Sequence, residues 1–138
     1  MSPIPYRFAV PLLAAALWGA SHLPVSATEK GPFNVRSGTS TVVLSYASYD
    51  PDTCYFQAIP RLRVATPPAH GSVTIGKSSH AAGKGSCEGK TLRSSVVHYR
   101  ANPGYRGRDE MVISVESEVF TDGTGIWGDS VRILVDVK

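Results

Sequence analysis

The feature that most constrains this chain is a series of short segments in which apolar and polar residues alternate one for one. Val42, Leu44 and Tyr46 share one parity, as do Leu62 and Val64, Val73 and Ile75, Met111, Ile113 and Val115, and finally Val131, Ile133, Val135 and Val137. Successive side chains of a strand point to opposite faces, so a period of two reads as strands with one buried face. No run of helical period interrupts them after residue 27. The breaks are turn sequences: Pro67-Pro68-Ala69-His70-Gly71, Asn102-Pro103-Gly104 and Thr121-Asp122-Gly123-Thr124-Gly125. Paired prolines withdraw ladder donors, and glycine permits positive φ. Residues 54–59 are almost continuously apolar and are expected to form an interior strand. Residues 92–100 read as another strand, residues 76–89 as a long loop of Gly, Ser, Lys and Ala, and residues 28–40 as a polar lead-in. The expectation is an all-β antiparallel sandwich of about seven strands over residues 41–138, with the aliphatic faces between two sheets. A composition 42% apolar and 18% charged suits a globular domain rather than a disordered chain.

The first 27 residues stand apart. Arg7 supplies a positive n-region, residues 8–20 are rich in Leu and Ala, and Val25-Ser26-Ala27 puts small residues where a signal peptidase cuts. A bilayer span needs about 20 apolar residues, and this run is shorter and broken by Pro11. Residues 1–27 therefore read as a signal peptide cleaved after Ala27, with no stable membrane span afterwards; a retained anchor is the alternative. Export changes the meaning of the two cysteines, Cys54 and Cys87. In an oxidising compartment an even count reads as one disulfide, and closing a loop of this length limits the unfolded chain by roughly 3–4 kcal/mol. Neither belongs to a CxxC pair, which argues against redox or zinc chemistry.

The full chain has 14 basic and 11 acidic side chains, a net charge of +3, and loss of Arg7 lowers that by one. So mild a balance does not call for nucleic acid. The distribution is less even. Lys77, Lys84, Lys90, Arg93, Arg100, Arg106 and Arg108 fall in one stretch where Glu88 is the only acid before Asp109. It reads as a solvated face, or else as a surface for an anionic polymer.

Several ordered motifs in the second half belong together: Pro68-Ala69-His70-Gly71-Ser72-Val73, residues 97–109 with Asn102-Pro103-Gly104-Tyr105-Arg106-Gly107-Arg108-Asp109, the Met111 to Val115 strand, and the closing alternation. In these features, residues 66–138 resemble bacterial cadherin-like or immunoglobulin-like repeat domains, with their P-x-H/N-G-x-V turn and Y-x-P-x-x-G-Y/F-x-G-x-D corner, which here reads Y-x-x-N-P-G-Y-x-G-x-D from Tyr99 to Asp109. The resemblance implies an immunoglobulin-like sandwich and an adhesion-type role. Family members usually occur in tandem, and the D-x-N-D-type calcium runs of true cadherins are absent here. The corner also makes sense on its own terms. Gly104 and Gly107 permit a tight reversal, Tyr105 can bury its ring and donate its hydroxyl to backbone, and Asp109 can accept otherwise unpaired turn N–H groups.

His70, His80 and His98 have no partners at metal-ligand spacing, and no G-x-S-x-G elbow is present. Gly83-Lys84-Gly85-Ser86 lacks the frame of a phosphate loop. Glu118, Asp122 and Asp129 surround Gly-rich turns where calcium could be approached, but their spacing fits no standard calcium loop; hairpin chemistry is the plainer reading and no cofactor is expected. Tyr46, Tyr49, Tyr55 and Phe56 flank Cys54 and are expected to pack around the disulfide. Phe120, Ile126 and Trp127 sit in a turn-rich segment, where they either fold under the loop or offer a platform to a partner. The leading expectation is a non-enzymatic extracytoplasmic module, periplasmic or on the cell surface. It would contact a protein or an anionic envelope polymer through Phe120, Ile126 and Trp127 or through Lys84, Lys90, Arg93, Arg106 and Arg108. A small secreted hydrolase and a purely structural envelope subunit are the alternatives; the hydrolase requires a histidine hydrogen-bonded to a nucleophile in a cleft.

Overall fold

The computed structural model describes residues 27–50, 52–55, 58–119 and 125–138, and these hold seven strands and no helix. They are β1 (Thr28–Val35), β2 (Ser40–Tyr46), β3 (Arg61–Thr66), β4 (Gly71–Ala81), β5 (Thr91–Ala101), β6 (Gly107–Val119) and β7 (Gly125–Val137). Two sheets pack against each other, one ordered β1-β7-β6-β3 and the other β2-β5-β4. The protein is a β-sandwich.

The alternating residues of β6 and β7 do what their parity requires, whereas Val42, Val64 and Ile75, expected to face inward, are 49%, 39% and 39% exposed. Register shifts at Val42/Leu44 and Val64/Thr66 break the alternation of β2 and β3, and Ile75 lies on the edge strand β4. Met111, Ile113 and Val115 of β6 and Val131, Ile133, Val135 and Val137 of β7 are buried, facing Val97, Tyr99 and Ala101 of β5 and Leu44 of β2 across one core. Their neighbours Arg132, Leu134 and Asp136 face outward and are exposed or half-buried. Burial of each aliphatic side chain contributes on the order of 1.5–3 kcal/mol, which makes this face the main source of cohesion.

Three expectations about which segments form strands do not hold. Residues 28–40 are more than a lead-in, because β1 runs parallel to β7 from Thr28↔Val131 to Val35↔Val137. Most of β1 is exposed, so it carries no alternation to read; a distant partner makes it a strand. It bulges between Lys30 and Phe33, where a Cβ on Gly31 would fall on the Leu134 carbonyl. The described residues of the run 54–59, which are 54, 55, 58 and 59, belong to no strand; residues 56 and 57 lie outside the described residues. Asp50 N–H donates to the Tyr55 carbonyl (2.9 Å) and Cys54 N–H to the Asp50 carbonyl (2.8 Å), folding the segment on itself, with Cys54 at φ 55°. The Asp50 carboxylate accepts from the N–H groups of Asp52 and Thr53, which hold its pKa below the ordinary carboxylate value. Lastly, the loop expected over residues 76–89 is half strand. β4 keeps an unbroken register with β5 from Gly71↔Ala101 to Ala81↔Thr91, and that pairing overrides a polar composition.

Cys54 and Cys87 are joined, with Cα atoms 5.5 Å apart. Around them lie Ala82 and Leu92, a small cluster separate from the main core. The aromatic residues expected there are elsewhere: Tyr46 packs against the main core, while Tyr49 and Tyr55 are 40% and 70% exposed. The turn that brings Cys54 to Cys87 leaves those rings outside. Phe56 and residues 1–26 lie outside the described residues. No helix among the described residues is long and apolar enough to cross a membrane.

Candidate functional site

The sandwich has two unlike ends. At one end the connections β1–β2, β3–β4 and β5–β6 meet the last residue of β7; at the other lie the connections β2–β3, β4–β5 and β6–β7.

The first end is built around Asp109, the third residue of β6 and only 6% exposed. Its Oδ1 accepts from the N–H of Ala69 (3.0 Å) and from that of Glu110 (3.0 Å). Its Oδ2 accepts from the N–H of His70 (3.0 Å) and from the Tyr99 hydroxyl (2.8 Å). Every strong acceptor position of the carboxylate is therefore matched, as a buried charge requires. Tyr99 lies on β5 in the opposite sheet and is wholly buried. Burial, followed by its bond to Asp109, pushes the phenol pKa well above its ordinary value. Gly71 is needed beside it, because a Cβ there would overlap the Tyr99 ring and lie 2.7 Å from the Arg100 carbonyl oxygen.

The corner completes this end. Gly104 and Gly107 take φ of 81° and 129°, and between them Tyr105 donates its hydroxyl to the Arg108 carbonyl (2.5 Å). The Tyr105 ring packs on the core and stacks on His70, with centroids 4.1 Å apart and planes 10° from parallel. Asn102 N–H donates to the His70 carbonyl (2.8 Å), and Gly104 N–H to Ser37 Oγ (2.8 Å). The P-x-H-G turn, Tyr99 and the G-Y-x-G-x-D corner are thus one bonded unit that closes the sandwich. Tyr99 and Gly71 both stand within the motifs read from the sequence, but the Tyr99–Asp109 bond and the close approach of Gly71 to the Tyr99 ring arise only when distant strands pack.

Compared with family models, with curated proteins and with solved structures, the chain matches none.

The basic residues do not form one surface. Lys84, Lys90 and Arg93 stand at the β4–β5 connection, whereas Arg106 and Arg108 lie at the corner. The length of β5 separates the two groups by about 25 Å or more. All five are exposed, and Arg108 faces Asp136 at 3.5 Å with its side chain 92% exposed. The single anion-facing stretch read from the sequence is therefore two patches. Phe120 lies outside the described residues, and so do the side chains of Ile126 and Trp127; their backbone pairs with Glu118 and Ser117 in the β6–β7 ladder. That ladder puts the β6–β7 connection at the same end as Lys84 and Lys90.

The histidines are dispersed. His98 is opposite Thr74 in the β4–β5 ladder and His80 is opposite Leu92, so His98 is about 13 Å along the strand from His70 and about 20 Å from His80. Among the described residues no three His, Cys, Asp or Glu side chains are grouped to hold a metal ion.

Two of the openings among the described residues adjoin arginine side chains. A groove of about 450 Å³ crosses β1, β7 and β6, with Pro32 and Leu134 beside His70, Arg108, Glu110 and Asp136. Another, of about 440 Å³, opens between the facing edges β3 and β4, where Arg61, Arg63 and Lys77 surround Ile59, Leu62 and Ile75. Ser95 Oγ donates to the Pro60 carbonyl (2.5 Å) at its inner wall. Only the fold brings Lys77 of β4 to the same opening as Arg61 and Arg63 of β3.

Proposed function

We propose that this chain is a non-enzymatic extracytoplasmic interaction domain of immunoglobulin-like, cadherin-like type, which contacts a protein or an anionic polymer of the cell envelope. The carrying observation is that the motif residues are consumed in holding the sandwich shut. Each carboxylate oxygen of Asp109 accepts two hydrogen bonds and His70 is stacked on Tyr105, so the groups most suited to chemistry are occupied by architecture. What remains for a partner is the surface of the sandwich and its opposite end.

Other observations agree with this reading. The strand order β2-β5-β4 against β7-β6-β3, with β1 beside β7, supports an immunoglobulin-like arrangement of the sandwich. The disulfide suits an oxidising compartment, which in turn suits the apolar N-terminal segment as an export signal. At the end opposite Asp109 lie the β2–β3 and β4–β5 connections, joined by the disulfide and the second holding Lys84 and Lys90, and also the end of the β6–β7 ladder that contains Trp127. Loops held at one end of a rigid sandwich are a common place for recognition.

The test is retention of envelope extract on immobilised protein. W127A and the set K84E/K90E/R93E should each recover at least threefold less of the bound material, whereas R106E/R108E at the corner should recover as much as the unaltered protein. Equal recovery by every variant would discard the loop end as the binding end. A hydrolase reading would instead require turnover of an envelope substrate that is lost on changing His70, His80 or His98.

A further inference from the structure

A β-sandwich has free strand edges, and each edge presents unpaired backbone groups unless something interrupts it. Three of the four edges here are interrupted. β1 bulges at Gly31 and Pro32, β2 shifts register between Val42 and Leu44, and β3 shifts between Val64 and Thr66 and is bounded by Pro60 and Pro67. β4 is different. It pairs with β5 over eleven residues without a shift, contains no proline and carries Lys77 as its one charged residue apart from His80. Among the described residues, no hydrogen bond covers its other side.

The surroundings of that edge have a definite character. Beside it opens the cavity of about 440 Å³, bordered by Arg61 and Arg63 of β3 and Lys77 of β4, with no acidic residue among its lining. None of the three cations makes an ion pair among the described residues. Glu116 is the cross-strand neighbour of Arg61, yet it lies outside the cavity. One of the exposed large apolar residues, Ile75 on β4, lines the same opening and is 39% exposed. Arg61 and Arg63 share a face and stand about 6.7 Å apart along the strand, which is also the spacing of alternate side chains in any extended peptide.

We propose that the free edge of β4 is a docking site for an extended acidic segment of a partner protein, which joins β2-β5-β4 as a fourth strand. This deepens the reading of the chain as an interaction domain and rests on it. Backbone bonds to β4 supply an affinity that does not depend on sequence, and side chains at alternate positions supply selectivity. Acidic side chains on one parity meet Arg61, Arg63 and Lys77, and an apolar one enters the opening against Ile75 and Leu62. Charge complementarity selects this occupant over a second copy of the chain, since self-pairing along the edge brings the same cations together. It also selects a peptide over an acidic polysaccharide, which has no backbone N–H groups to extend the ladder.

Three capped ten-residue peptides test the site against the isotopically labelled, disulfide-intact protein: alternating Val and Glu, alternating Val and Lys, and the Val–Glu peptide with proline at alternate positions. The Val–Glu peptide should shift and protect alternate β4 amides and bind at least tenfold more tightly than either of the others. R61A/R63A/K77A, whose side chains are exposed, should keep the thermal midpoint and lose at least tenfold in affinity for it. Equal binding of the acidic and basic peptides, or shifts confined to another surface, would overturn the proposal. So would concentration-dependent dimerisation through β4, or polygalacturonate binding more tightly than the acidic peptide. If R61A/R63A/K77A retains envelope material as well as the unaltered protein does, this site falls while the interaction reading stands. Loss of retention by R61A/R63A/K77A together with Val–Glu binding at β4 supports both.

Discussion

The Tyr99 hydroxyl donates to Asp109 Oδ2 at 2.8 Å, and this bond joins the two sheets of the sandwich through side chains that are both buried. The same carboxylate holds the N–H groups of Ala69 and His70, so one acidic residue fixes the β3–β4 turn, the start of β6 and the middle sheet strand β5. Hydrogen bonds to a charged group are the strong ones, and an unmatched buried donor is costly.

Changing Asp109 should therefore be the most damaging polar substitution in the domain. D109N keeps the shape but turns one acceptor into a donor facing N–H or O–H groups, and should cost about 2–4 kcal/mol. Y99F leaves His70 N–H on the same oxygen, so it should cost less, about 1–2 kcal/mol. Urea unfolding of both variants and of the double variant measures the coupling, which should be about 1 kcal/mol or more for groups in direct contact.

Stability should also fall on the alkaline side because of Tyr99. Its pKa is raised in the folded protein, so the unfolded chain loses the phenol proton first. The contribution is fully present below the ordinary tyrosine value near 10 and is lost as pH rises from there toward the folded value. Urea midpoints between pH 9 and 11 should decline more steeply for the unaltered protein than for Y99F.

G71A tests the close approach rather than the bond. Its added methyl overlaps the Tyr99 ring and presses on the Arg100 carbonyl, neither of which can move freely in the β4–β5 ladder. A loss of about 2 kcal/mol or more is expected in thermal or urea unfolding. G83A, where an added Cβ meets nothing within 4 Å, is the control and should change stability by less than about 0.5 kcal/mol.

The disulfide should matter for stability without defining the fold. Cys54 and Cys87 are 33 residues apart and sit in a cluster separate from the main core. C54A/C87A should lose about 2–4 kcal/mol in urea unfolding while its far-ultraviolet circular dichroism keeps the β signature.

Much of the sandwich was legible because its core strands are locally consistent. Met111, Ile113 and Val115 and the valines of β7 alternate so regularly that burial follows from parity alone. What was not legible depended on distant partners. β1 has almost no buried face and exists through parallel pairing with β7; residues 76–81 look like a loop and become strand by pairing with residues 91–96. The run from Cys54 to Ile59 misled in the opposite sense, since its apolar composition says nothing of the turn that Asp50 organises. For the site, the motif around Asp109 could be read as structural, but its link to Tyr99 could not, because the two meet only after the sheets pack. The basic residues erred for a related reason: neighbours along a hairpin end up at opposite ends of the molecule.

The most direct test of the carboxylate clamp at Asp109 is native-state hydrogen exchange at the backbone amides of Ala69 and His70. They lie in an exposed turn, where unbonded amides exchange within the dead time of the measurement. If Asp109 holds them, their opening free energies should approach that of global unfolding and fall together in D109N. Exchange as fast as at the exposed Gly83 and Lys84, or protection that D109N leaves unchanged, would contradict it.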